Sequence, residues 1–145
     1  MRPESTELKI LLVEDDELDI MGIRRALQKL NIVNPLIVAR DGIEALDLLR
    51  GTDGREKLTG PYMILLDINM PRMNGIEFLD ELRSDSDLKD AKVFILTVSN
   101  QDDDIYRAYK QKVAGYIVKS DPVESMKNAL QLLNCGWVLV ERRES

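Results

Sequence analysis

Residues 65–75 read LLDINMPRMNG: an apolar run ends on Asp67, with Asn69, a proline and a glycine close behind. Other short apolar runs also end on reactive groups. LKILLVE (8–14) leads into Glu14-Asp15-Asp16, KVFILT (92–97) ends on Thr97, and GYIVK (115–119) ends on Lys119. The run PLIVA (35–39) ends without one. Carboxylates held close together repel and retain their protons unless a cation offsets the charge. Mg²⁺ (or Mn²⁺) does this with oxygen ligands, often one or two carboxylates, and retained waters. Asp15 and Asp67 can supply carboxylates, the Asn69 backbone carbonyl a third oxygen, and Glu14 can hold a metal-bound water. A carboxylate can also attack a phosphoryl group to form an aspartyl phosphate. The equatorial oxygens then need neutralising: the cation takes one, Lys119 another, and the Thr97 hydroxyl with nearby backbone amides a third.

Each residue alone has an ordinary reading. Aspartates at strand ends form turns. Acids before a helix cap it and meet its dipole. The set gains meaning only if the chain brings all of it to one edge.

The elements that must do so alternate. After LKILLVE, residues 17–30 place Leu18, Met21, Ala26, Leu27 and Leu30 at mostly helical spacing. PLIVA reads as a strand, and 42–50 as a helix with Ile43, Leu46 and Leu49 on one face. GTDGREKLTGP (51–61) reads as a long loop. YMILLD (62–67) is a third strand, followed by a helix over 75–83 with Ile76, Leu79 and Leu82 inward. KVFILT, a helix over 101–112, GYIVK and a helix over 122–134 complete the pattern, the last lined by Val123, Met126, Leu130 and Leu133. Continuous apolar strands alternating with amphipathic helices predict an α/β fold, a five-stranded parallel sheet in a three-layer α/β/α sandwich. In such a sheet, ligands bind beyond the carboxyl ends of the strands, where the chemistry-bearing residues fall.

Composition sets limits. The 145-residue chain has 44% apolar residues, which suits one globular domain. A net charge of −6 disfavours direct nucleic-acid or anionic-membrane binding. With no histidine, a Cys/His zinc site and a histidine-based triad are excluded. The single cysteine, Cys135, allows no internal disulfide and fits a cytoplasmic setting. No apolar run approaches the ~20 residues needed to cross a bilayer.

The set Glu14-Asp15, Asp67, Thr97 and Lys119, with Met70-Pro71-Arg72-Met73-Asn74-Gly75 after the aspartate, resembles the receiver domain of two-component response regulators. The likeness runs from the first strand through the last helix. It implies a flavodoxin-like strand order 2-1-3-4-5, Mg²⁺ binding, and phosphoryl transfer from a sensor histidine kinase to Asp67 as phosphoacceptor. Thr97 and Lys119 become phosphate-binding switch residues, and Tyr116 falls at the family's aromatic switch position. The expected division is a flexible arm at 1–7, a single receiver domain at 8–140 and a tail at 141–145, with no output domain. The signal is then expected to leave by protein contact, through the face of the fourth helix, fifth strand and fifth helix. Ile105, Tyr106, Tyr109 and Trp137 are the apolar candidates for that interface.

Two positions depart from the family pattern. Val98 stands where a small residue is preferred, and is expected to narrow access to the phosphate. Ser120 stands where proline is common, and a cis Lys119–Ser120 bond without proline would cost about 2.5–4 kcal/mol. The long 51–61 loop, the Lys119-Ser120 pair, Asp102-Asp103-Asp104 and the aromatic tail are similar to stand-alone regulators that serve bacterial phytochromes. That narrower resemblance implies a bacteriophytochrome kinase as partner and a homodimer. Alternatives are a phosphate shuttle or sink in a phosphorelay, an aspartate-nucleophile phosphatase, a flavodoxin-like mononucleotide binder and a phosphorylation-silent scaffold. The phosphatase would want Asp-x-Asp after the first strand. The mononucleotide binder would want a Ser/Thr/Gly-rich loop where residues 14–19 are acidic.

Overall fold

The apolar runs pair as parallel strands in a computed structural model that describes residues 7–68, 73–97 and 113–133. The strands are β1 (Lys9–Val13), β2 (Leu36–Ala39), β3 (Tyr62–Asp67), β4 (Lys92–Thr97) and β5 (Gly115–Val118). Helices α1 (Glu17–Lys29), α2 (Gly42–Arg50) and α3 (Gly75–Ser84) connect them, and a last described helix spans Pro122–Leu133. The sheet order is β2-β1-β3-β4-β5, as the resemblance implied. The chain steps from β1 outward to β2, then returns to β3 on the other side, so the switch point lies between β1 and β3. Predicted sites at Asn69, Val98, Ile105, Tyr106, Tyr109 and Trp137 lie outside the described residues, as does the expected helix over 101–112.

Alternating strand residues divide the core into two layers. Ile10, Leu12, Met63, Leu65, Phe94 and Ile117 pack under α1 and the last described helix. Leu11, Val13, Ile64, Leu66, Val93 and Ile95 pack under α2 and α3. Both faces are covered, which is why the strands read as continuous apolar runs.

The helix faces differ in part from expectation. On α1 the buried residues are Ile20, Ile23, Ala26 and Leu27, while Leu18 is 77% exposed and Met21 is also exposed. On α3, Phe78, Leu79 and Leu82 are buried and Ile76 is 51% exposed. Ile43 on α2 is exposed beside buried Ala45, Leu46 and Leu49. Each helix carries apolar residues on more than one face, and the sheet selects the face with most contact. Glu7, assigned to the arm from sequence, makes an isolated β-bridge, so pairing begins one residue before the predicted boundary.

Local chemistry fixes where the helices start. Asp16 caps α1, its carboxylate accepting from the Leu18 and Asp19 amides. Asn74 caps α3 and forms a capping box with Glu77. The 51–61 segment is a loop, as expected, held by Leu58 N donating to Leu48 O at 2.8 Å and Lys9 Nζ donating to Thr59 O at 2.6 Å.

Two glycines sit in opposite environments. A Cβ on Gly75 would lie 2.7 Å from Ile68 Cα, because Gly75 N donates to Ile68 O at 3.1 Å and brings the backbones together. A Cβ on Gly22, inside α1, would meet nothing within 4 Å. In urea denaturation, Gly75→Ala is expected to lower stability by about 1–3 kcal/mol. Gly22→Ala is expected to raise it by about 0.5–1 kcal/mol. Equal effects of the same sign would contradict these placements.

Candidate functional site

The carboxyl ends of β1, β3, β4 and β5 form one rim, and sheet register sets who stands next to whom. Val13 pairs with Leu66, which places Glu14 beside Asp67 at the ends of adjacent strands. Asp67 closes β3 opposite Leu96, and Thr97 closes β4 opposite Val118. Lys119 follows β5, its amide donating to Thr97 O at 2.7 Å. The structure therefore brings Glu14, Asp15, Asp67, Thr97 and Lys119 to one edge. The Lys119–Ser120 bond is trans. Tyr116 lies half-buried on β5, at the sheet edge, packed against the α2–α3 layer.

Burial is unequal across the set. Glu14 is fully buried, Asp67 and Thr97 are nearly so, and Asp15 is exposed. Glu14 Oε2 accepts from the amides of Asp15 at 3.1 Å and Asp16 at 3.3 Å, which fixes the carboxyl plane. Lys119 Nζ reaches across the ends of β4 and β3. It donates to Asp19 Oδ2 at 2.7 Å and lies 3.0 Å from Glu14 Oε1 and 3.7 Å from Asp67 Oδ1. The Glu14 contact is an ion pair outside hydrogen-bonding direction, since Oε1 has no hydrogen-bond partner. Asp67 lies beyond hydrogen-bonding distance of the ammonium.

These contacts shift the titrating groups. Burial, then the neighbouring Asp67 carboxyl, pushes the Glu14 pKa up to about 8. Burial opposes the charge on Lys119, but the Asp19 and Glu14 carboxylates outweigh it and hold its pKa above the ordinary lysine range.

The site suits a hard divalent cation. Glu14, Asp15 and Asp67 each bring one carboxylate oxygen within 4.8 Å of the others, the one such cluster among the described residues. An all-oxygen anionic donor set with an orphaned, buried Oε1 fits Mg²⁺ or Mn²⁺.

Sequence reasoning missed Asp19. It occupies the third position of α1, where an acid ordinarily answers the helix dipole. Its contact with Lys119, 100 residues away, has no local signal.

Known proteins resemble this chain in sequence and in fold. The family model for the response regulator receiver domain matches residues 10–131. Response regulator Rcp1 of Synechocystis sp. is 34% identical over 95% of this chain and 95% of its own length. The solved Mn²⁺-bound form of Rcp1 superposes with a TM-score of 0.68 at 32% identity, covering 94% of this chain and 99% of that one. The bacteriophytochrome response regulator AtBRR superposes with a TM-score of 0.82 at 34% identity, over 97% of this chain and 100% of that one. The phosphorylated cyanobacterial phytochrome response regulator RcpA gives 0.70 at 34% identity, over 92% and 98% of the respective chains. By sequence and by fold, this chain belongs to the response regulator receiver domain family.

Proposed function

We propose that Asp67 is the phosphoacceptor of a response regulator served by a sensor histidine kinase. The observation that carries this reading is the placement of Asp67. It is a nearly buried carboxylate closing β3, flanked by Glu14 just past β1 and Thr97 on β4, with the Lys119 ammonium 3.7 Å away. In the reaction, an Asp67 oxygen forms a bond to phosphorus as the bond to the donor nitrogen breaks, and the donor histidine leaves with that electron pair. Asp15 and Asp67 would hold Mg²⁺ or Mn²⁺, with the Asn69 carbonyl and with Glu14 oriented behind them by the Asp15 and Asp16 amides. When bound, that cation supplies charge neutralisation for the transferring phosphoryl group. Lys119 offers the rim a second positive charge, and the Thr97 hydroxyl, at the end of β4, would donate to a phosphoryl oxygen.

The same reading extends to output. Domain residues 8–140 act as one receiver unit and signal by contact in the cytoplasm. Charge added at Asp67 would bias Thr97 and Tyr116 and so alter the face that includes β5. Tyr116 on the edge strand supports this route, because it is half-buried and adjoins β4 at Ile95. Likeness to AtBRR, a bacteriophytochrome response regulator, and to RcpA, a cyanobacterial phytochrome response regulator, favours a phytochrome-type kinase as partner, and a homodimer is the proposed signalling form.

Incubation with a small phosphodonor and Mg²⁺ is expected to add one phosphoryl group to the wild-type protein, by mass spectrometry. The adduct should be acid-stable and base-labile, absent without Mg²⁺, and absent in Asp67→Asn. A Mg²⁺-dependent adduct that survives Asp67→Asn would sink the assignment.

A cation beside Glu14 favours its ionised form, which burial and the neighbouring Asp67 disfavour below about pH 8. The protonated form of Glu14 prevails below that pH and competes with the ion. Apparent Mg²⁺ affinity is therefore expected to fall as the pH drops below about 8 and to level off above it. Calorimetry in buffers of different ionisation enthalpy should show proton release at pH 7, and a buffer-independent heat would contradict it.

A phosphoryl mimic is expected to shift the protein to a heavier species in sedimentation velocity at micromolar concentration. An unchanged profile would count against phosphorylation-linked dimerisation.

A further inference from the structure

Lys119 has three ammonium protons and, among the described residues, three carboxylates within reach. The shortest contact is not to the proposed phosphoacceptor. Nζ donates to Asp19 at 2.7 Å, lies 3.0 Å from Glu14, and stands off Asp67 at 3.7 Å. The Lys119 side chain is 19% exposed and that of Asp19 31%, so the pair is partly shielded from water. Asp19 is set by α1, whose cap, Asp16, accepts from the Asp19 amide at 3.3 Å. A cavity of about 60 Å³ bounded by Leu18, Gly22, Ile23, Leu96 and Pro122 lies beside the Asp19–Lys119 pair. It gives the lysine stem open space on that side.

We infer that Asp19 is a positioning residue that holds the Lys119 ammonium off Asp67 until a phosphoryl group draws it away. The inference rests on the reading of Asp67 as phosphoacceptor. In the unmodified protein the arrangement keeps the Lys119 ammonium beyond hydrogen-bonding distance of Asp67. Once the phosphoryl group is present, its added negative charge competes with Asp19 for the same ammonium. The Asp19 contact is given up, and that loss subtracts from the stability of the phosphorylated form. Asp19 therefore sets how easily the switch turns on without touching the phosphoryl group itself.

The test uses beryllofluoride with saturating Mg²⁺ as the phosphoryl mimic, with affinity measured by calorimetry on the full chain. Asp19→Ala is expected to bind it about three- to tenfold more tightly than wild type, the scale set by losing one partly shielded ion-pair competitor. Asp19→Asn removes the charge with little change of shape, and is expected to tighten binding in the same direction if Asp19→Ala proves poorly folded. Glu17→Ala is the control. It removes an equal charge from the same helical turn, but Glu17 pairs with Arg40, not Lys119. Its effect is expected to stay under about twofold, as for an exposed ion pair. General repulsion of the anion would make the Asp19 and Glu17 variants alike, and a structural defect would weaken binding. Either result overturns the positioning role. Wild-type protein that fails to bind the mimic at all would instead overturn the phosphoacceptor reading, and this inference with it.

Discussion

Among the described residues, one ammonium meets three carboxylates at the carboxyl edge of this sheet, and a fourth lies beside them. Glu14, Asp19 and Asp67 lie within 3.7 Å of Lys119 Nζ, and Asp15 joins Glu14 and Asp67 in a cluster of oxygens. Buried like charges are unfavourable, and the removal of Glu14 from water makes this worse. The folded chain answers with a raised Glu14 pKa and with amides aimed at Oε2, yet Oε1 stays without a hydrogen bond. That residual imbalance is what makes the edge receptive to a divalent cation. The rest of the fold has to hold these groups together against their own repulsion.

It does so through backbone pairing more than through the side chains. Glu14, Asp67 and Thr97 stand at or just past the ends of strands whose partners are set by parallel register. Those strands are sealed on both faces by apolar layers. Sliding one strand to relieve the repulsion would invert its core faces, since side chains alternate with a period of two. Helix starts add a second constraint. The Asn74 cap and the close approach of Gly75 to Ile68 return the chain into α3 just past β3, and Asp16 holds the first turn of α1. The acids near β1 thus divide their work: Asp16 serves the helix, while Glu14 and Asp15 face the rim.

Much of this was legible from local sequence. The strand β3 is the run YMILLD, and β4 is KVFILT, each as read. Asn74-Gly75 begins α3, and 51–61 is a loop. Less legible were the faces of the helices. Leu18, Met21, Ile43 and Ile76 fit an apolar spacing but are exposed, while Ile20, Ile23 and Phe78 take the core. Periodicity alone admits more than one apolar stripe on such helices, and only packing against the sheet selects between them.

The chain by itself determined its alternation of strands and helices, the chemical type at each strand end, and the caps that begin the helices. These depend on neighbours in sequence, through hydrogen bonds and turn geometry that span a few residues. Tertiary structure alone decided where the Lys119 ammonium goes. Lys119 follows β5, on the far side of β4 from β3, and its closest partner is on α1, 100 residues earlier. That meeting requires β1 to lie inside the sheet beside β3, an order set by crossovers and core packing across the whole domain. Coulombic attraction acts through space, so the lysine takes the carboxylate the fold brings closest, whatever its place in the sequence.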